Sequence, residues 1–228
     1  MSSEILAIIA KEMDISKFIK NWKLLSPFET LIRTLLSQNT TDKNSLAAFD
    51  NLQVKFKNIT PEILAKANQS EIQEEIRIAG LHNQKSKRII EISQIIFSEW
   101  NSDFLFIYDL PLEDARKKLM SLPGIGNKTA DIILNFVAKR PILPVDTHIT
   151  RISKRIGLVP QNAKYDDVRQ AIESLISEEQ IFTIHVSLIF FGRQVCKAIN
   201  PQCPTCPVNH LCPKIIVVKQ KKGKKAKK

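Results

Sequence analysis

Apolar residues recur along this chain at three- and four-residue intervals almost from end to end. Ile149, Ile152 and Ile156 form one such row, and Val168, Ile172, Leu175 and Ile176 form another. That spacing lines side chains up on one face of an α-helix, while the strict alternation of a half-buried strand is scarce. The pattern predicts an all-α fold of roughly ten helices. Helix starts are marked as well. Ser26-Pro27-Phe28-Glu29 offers an N-cap serine, a proline at the first helical position and a glutamate that can fold back, and Ser70 to Gln73 repeats the capping-box spacing.

Two interruptions of the pattern carry chemistry. Residues 115–122 read as a helix that stops at Pro123, Gly124-Ile125-Gly126 reads as a tight turn, and Lys128 to Val137 resumes an amphipathic helix. Glycines on either side of one apolar residue permit positive φ and close approach of a backbone. Such a turn aims main-chain N–H groups and a helix N-terminus outward, which suits a DNA phosphate, although many short helix connections look the same. Near the end, Pro201, Pro204, Pro207 and Pro213 break any helix, so this segment should be a loop wrapped around something.

With 228 residues, 43% of them hydrophobic, the chain can bury a core as one compact unit or two small interlocked ones. The opening MSSEILAIIAKEMD mixes Glu4, Lys11, Glu12 and Asp14 into its apolar residues. It has neither a signal-peptide core nor a membrane span, so an intracellular protein away from the membrane is expected. The formal charge of +11 suggests a polyanionic partner, but the last ten residues carry seven lysines, and without them +4 remains. That tail is expected to be a disordered arm drawn to phosphate, or a merely solubilising one.

All four cysteines, Cys196, Cys203, Cys206 and Cys212, fall in one short stretch. In an intracellular chain this favours a metal or iron–sulfur site over disulfides. Only Cys203 and Cys206 are close in sequence, whereas zinc sites usually offer two close pairs; spacing alone leaves zinc and a 4Fe–4S cluster as equal contenders.

The stretch LPGIGNKTADIILNFVAKRPILPVDTHITRI closely resembles the signature of the endonuclease III family of DNA glycosylases. LLSQNTTDKN at 35–44, GLHNQKSKRI at 80–89 and the cysteine interval after HVSLIFFGRQVC resemble that family too. The resemblance implies a helix-hairpin-helix glycosylase fold: a six-helix barrel over 28–139, a helical 4Fe–4S domain from 1–27 and 140–213, a basic tail at 214–228, and an active site in the cleft between the domains. Lys128 falls on the family's catalytic lysine and Asp146 on its catalytic aspartate. The four cysteines fall on its cluster ligands, with Lys197 and Lys214 as basic residues of the cluster loop. Gly124 and Gly126 would meet a phosphate and His148 would touch DNA. Leu81 would wedge into the duplex, and Asn39, or Gln38 after a one-residue shift, would fill the gap left by the extruded base. His82 stands where relatives often carry tyrosine.

The chemistry accounts for the pair. An amine that attacks C1′ as the glycosidic bond breaks stays attached as a Schiff base, and the imine acidifies the C2′ proton for β-elimination of the 3′ phosphate. A lysine amine at neutral pH is almost wholly protonated, so desolvation has to expose the nucleophile, while a carboxylate steadies the cationic sugar and moves protons. A lysine early in a helix is ordinarily just solvated, and Asp146 is also well placed to N-cap a helix from Thr147. The implied function is a bifunctional glycosylase and abasic-site lyase of base excision repair. It would act as a cytoplasmic, nucleoid-associated monomer on damaged double-stranded DNA and remove oxidised or ring-saturated pyrimidines. A G-mismatch thymine or uracil glycosylase is the alternative. A non-catalytic iron–sulfur DNA-binding protein and a zinc-stabilised domain are the rivals from other classes.

Overall fold

The computed structural model describes residues 2–20 and 25–215. The basic tail expected over 214–228 lies, from residue 216 onward, outside the described residues. Among them are thirteen α-helices and no strand. These are α1 (Ser2–Glu12), α2 (Ser16–Lys20), α3 (Pro27–Leu36), α4 (Asp42–Phe56), α5 (Pro61–Lys66), α6 (Gln69–Ile76), α7 (His82–Ser98), α8 (Phe106–Asp109), α9 (Leu112–Met120), α10 (Asn127–Ile132), α11 (Thr147–Arg155), α12 (Tyr165–Glu173) and α13 (Ile181–Gln194). The number exceeds the sequence expectation because α2, α5 and α8 are only four to six residues long, too short to establish a period. No single helix is long and apolar enough to cross a membrane among the described residues.

Local chemistry sets several helix starts. Ser26 accepts from the Glu29 N–H while Glu29 returns to the Ser26 N–H at 2.9 Å, the reciprocal cap its sequence predicts. Thr41 and Thr60 cap α4 and α5 through their side-chain oxygens. The box expected at Ser70 is absent: α6 starts one residue before it, with Asn68 in the capping position. An extended Asn68 ends the preceding chain there, which leaves Ser70 inside the first turn. The helix expected over Lys128–Val137 also differs. α10 passes at Ile133 into a wider π-turn through Val137, and Lys139 at φ 57° closes it.

The chain divides into two compact units, one of Lys23–Arg140 and one of Met1–Trp22 with Pro141–Lys228. In the first, α7 packs on α5 and α6, and Leu31, Leu35, Leu52, Leu64, Ile72, Ile89, Ile92 and Ile96 are buried. In the second, α1 packs against α13 and α11 against both α12 and α13. Ile5, Leu6 and Ile9 there join Ile149, Ile152, Val168, Ile172, Leu188 and Phe191 in one core. Each such side chain contributes about 1.5–3 kcal/mol by leaving water, so apolar surface binds the N-terminal helix to the last third of the chain.

Candidate functional site

Within the unit of Lys23–Arg140, α9 and α10 flank a turn whose Leu122 and Ile125 are buried, so its intervening backbone faces out. Gly124 has φ 73°, a conformation that favours glycine, and a Cβ there would displace the Arg88 guanidinium. The amides of Gly124, Gly126, Asn127 and Lys128 find no acceptor among the described residues. Four free donors at one turn form a cradle for an anion. Lys128 is exposed and has no hydrogen-bond or ion-pair partner there. Beneath it, Asp131 is 0% exposed and takes two bonds from Arg116, Nε to Oδ1 at 2.7 Å and Nη2 to Oδ2 at 3.4 Å. This buried pair clamps α9 to α10.

Two further turns of the same unit carry the predicted duplex contacts. After α3, Gln38 donates from Nε2 to the Gly124 carbonyl at 3.4 Å, and Asn39 is exposed at φ 54°. Before α7, Gly80 and Leu81 are both left-handed, at φ 68° and 50°. Leu81 is 48% exposed, so it is not a core residue, and a branched side chain in this conformation costs about 1–2 kcal/mol. His82 is half-buried at the start of α7. Lys85, one turn further on, is 3% exposed, and burial holds its ammonium below the ordinary lysine value. Sequence reading did not mark Lys85 or Arg88, although Lys85, Ile89, Ile92 and Ile96 share one apolar helical row.

Asp146 and His148 belong to the other unit, at the start of α11. Asp146 Oδ1 accepts from the Ile149 N–H at 2.8 Å, the cap its position predicts; Oδ2 takes no bond from the described residues. Arg151 donates from Nη2 to His148 Nδ1 at 3.0 Å and to the Gly192 carbonyl at 2.8 Å, and from Nε to the Cys196 carbonyl at 3.0 Å. A guanidinium can only donate, so His148 accepts at Nδ1, carries its proton on Nε2 and keeps that N–H for another partner. Gly192 lets this happen: a Cβ there would stand 2.7 Å from His148 Cβ.

The cysteines follow α13. Cys196, Cys203, Cys206 and Cys212 line one cavity, partly open to solvent, with Arg155, Ile156, Phe191, Val208 and Lys214. All four are free thiols, held by a 3-10 turn at Cys203–Thr205 and successive tight turns rather than by helix. Burial raises the Cys206 and Cys212 thiols above their ordinary value, and neighbouring thiols push each the same way. As thiolates they would repel one another, which a polycationic centre reverses. Among the described residues no three His, Cys, Asp or Glu side chains are grouped to hold one metal ion. Four thiols line the cavity with no imidazole or carboxylate among its lining residues, a donor set that fits an iron–sulfur cluster. Arg155, itself buried, donates to the carbonyls of Lys197 at 2.6 Å and Ala198 at 2.8 Å and to Cys196 Sγ at 3.4 Å. Neither Arg151 nor Arg155 was marked by sequence reading, although both follow His148 at helical spacing.

Comparison with known proteins gives the family. Residues 32–178 match the family model described as HhH-GPD superfamily base excision DNA repair protein, and residues 196–212 match the iron–sulfur binding domain of endonuclease III. The endonuclease III of Thermotoga maritima is 36% identical over 204 residues, covering 90% of each chain. That of Sulfolobus acidocaldarius is 33% identical over 204 residues, covering 88% of this chain and 89% of that one. A solved endonuclease III, trapped as a covalent intermediate on DNA, has a TM-score of 0.78 at 31% identity and covers 94% of this chain and 97% of that one. A thermostable thymine-DNA glycosylase, at TM-score 0.79, 22% identity and coverage of 92% and 94%, shares the fold.

Proposed function

The chain belongs to the HhH-GPD superfamily of base excision DNA repair proteins and, within it, to the endonuclease III family, and from that premise we propose how its residues divide the work of a DNA glycosylase and abasic-site lyase. The observation that carries the reading is Lys128, exposed and without a side-chain partner among the described residues, on a stretch where the amides of Gly124, Gly126, Asn127 and Lys128 itself have no acceptor there either. A phosphate seated on those amides delivers the neighbouring sugar to the amine. Because Lys128 is exposed in the protein alone, the desolvation that frees its nucleophile comes with the bound DNA.

Attack of the Lys128 Nζ on C1′ forms the C–N bond as the glycosidic bond breaks and the base leaves with the electron pair and a proton. Loss of the amine proton and opening of the sugar ring give the imine. Removal of the C2′ proton then pushes its electrons toward C3′, and the C3′–O bond breaks to release the phosphate. Asp146 stabilises the positive sugar and carries protons through Oδ2, while Oδ1 stays on its cap. Gln38, Asn39 and Leu81 enter the duplex when the damaged base is extruded, and His148 donates from Nε2 to the backbone. Cys196, Cys203, Cys206 and Cys212 would hold the 4Fe–4S cluster, which when bound would supply cross-links that order the loop over 196–212. Oxidised or ring-saturated pyrimidines are the substrates that the motif resemblance around Lys128 implies.

The test is borohydride trapping on a duplex with one thymine glycol. The parent protein is expected to form a covalent complex, and Lys128→Ala none. Asp146→Asn, whose new side chain caps a helix equally well, should fold normally yet lose about 10²–10⁴-fold in rate. No trapping on this duplex or on one with an abasic site overturns the lysine mechanism. Base release only from G·T or G·U pairs transfers the chain to the mismatch enzymes.

A further inference from the structure

Lys85 is the most deeply buried lysine among the described residues, and neither base release nor strand scission uses it. It sits one turn into α7, on the row that also carries Ile89, Ile92 and Ile96, where an apolar residue is the expected occupant. Its ammonium donates to the Leu36 carbonyl at 2.8 Å and to the Ala79 carbonyl at 3.0 Å, and no carboxylate pairs with it among the described residues.

The two acceptors are not arbitrary. Leu36 is the last residue of α3, and Ala79 the last residue of the 3-10 turn Arg77–Ala79. Both carbonyls lie at helical C-terminal ends, where carbonyls are left over and a cation is favoured. Each end leads directly into a candidate DNA-contacting turn. Ser37, Gln38 and the left-handed Asn39 come after Leu36, while Gly80 and the left-handed, exposed Leu81 come after Ala79. One buried charge thus pins the roots of two turns that lie far apart in sequence.

We propose that Lys85 is a positioning residue that fixes the Gln38–Asn39 turn and the Leu81 turn relative to each other, so that both enter the opened duplex as one preformed unit. This rests on reading Gln38, Asn39 and Leu81 as the residues that enter DNA. An unpaired buried ammonium is costly to fold around, and a methionine in the apolar row would be cheaper. The arrangement makes sense where two strained turns need a common anchor. Two turns with independent freedom would each have to be ordered on binding, and a shift of about 1 Å in such a support can cost on the order of 10²-fold.

The experiment uses a duplex with a tetrahydrofuran abasic analogue opposite 2-aminopurine, which needs no chemistry at Lys128. The parent protein is expected to prefer it over undamaged duplex and to raise the 2-aminopurine fluorescence as the orphan base unstacks. Lys85→Met should bind undamaged duplex normally, lose on the order of 10²-fold of that preference, and give no fluorescence rise. Leu81→Ala should likewise lose the preference and the fluorescence rise. If Lys85→Met does not fold, Lys85→Gln serves the same comparison. The proposal is overturned if the variant keeps its preference and signal, or if binding to undamaged duplex falls in parallel. A parent protein that gives the fluorescence rise but no borohydride trapping sinks the Lys128 mechanism alone; a Leu81→Ala that keeps the signal sinks the reading of the turns, and Lys85 with it.

Discussion

The hairpin at 112–137 and the cysteine loop at 196–212 are both places where the chain leaves regular helix and where we propose that it meets another molecule, and they are held in opposite ways. The hairpin is anchored from beneath. Leu119, Leu122, Ile125 and Ala130 are buried, and the Arg116–Asp131 pair fastens one helix to the other. The cysteine loop has few apolar anchors, chiefly Val208, and its prolines remove amides that could have paired. Its carbonyls at Cys196, Lys197 and Ala198 instead face the guanidinium groups of Arg151 and Arg155. A site held by its own core stands ready without a bound group, whereas a site of free thiols and arginine-fed carbonyls takes its final order from what it binds.

The largest effect should come from removing that bound group. Cys206→Ala, or chelation of the iron, is expected to abolish the visible thiolate-to-iron absorption. Amide protection over 196–212 should fall toward that of a mobile loop, with an opening free energy near ~0 kcal/mol. Protection over 119–137 should be unchanged. Hydrogen exchange followed by mass spectrometry reads both segments in one run, and equal loss in the two would break the contrast between a hairpin held by its core and a loop held by its cluster.

The same contrast marks how much was legible in the amino-acid sequence. Helical periodicity predicted the all-α fold, and the reciprocal cap at Ser26 and the N-cap at Asp146 follow from local spacing alone. The Gly124-Ile125-Gly126 turn and the cysteine interval were legible because glycine and cysteine are scarce and chemically singular. Arginine and lysine are neither. Among 34 basic residues, nothing local distinguishes Arg151 or Arg155, which donate to carbonyls more than forty residues away, from a solvated neighbour. Lys85 gave one hint, a charge on an apolar row, but its partners Leu36 and Ala79 are apolar residues that act through their backbone. The π-turn after Ile132 was invisible for a related reason: its sequence is as apolar and regular as an α-helix.

A smaller effect tests the hairpin's support. Asp131→Ala takes from the buried Arg116 guanidinium its buried carboxylate and leaves it the exposed Glu113 at 3.6 Å, and breaking a buried pair costs about 3–5 kcal/mol. For a chain of this size that lowers the melting temperature by roughly 10 °C, at about 2–4 °C per kcal/mol. Replacing both partners, Arg116→Met with Asp131→Leu, should recover most of that loss, because two hydrophobic side chains carry no desolvation cost. Both variants are expected to keep the visible cluster absorption at room temperature. If the double variant melts as low as the single one, packing volume and not charge holds the two helices.

The smallest effect concerns Arg88, whose guanidinium lies against Gly124 and has no hydrogen-bond or ion-pair partner among the described residues. An arginine half-buried against Gly124 adds a full charge to the amide dipoles of the turn, and a charge has a signature that a dipole lacks. Each phosphate neutralised by a cationic side chain releases counterions, which steepens the fall of log K with log salt by about 0.9. Arg88→Gln keeps a planar donor group of similar reach but removes the charge. Binding to undamaged duplex should weaken only modestly, and the salt slope should become shallower by about 0.9. A slope that does not move while affinity drops would mean that Arg88 only props the turn. The hairpin would then grip phosphate by backbone amides alone, and the cationic contribution would have to come from elsewhere on the protein.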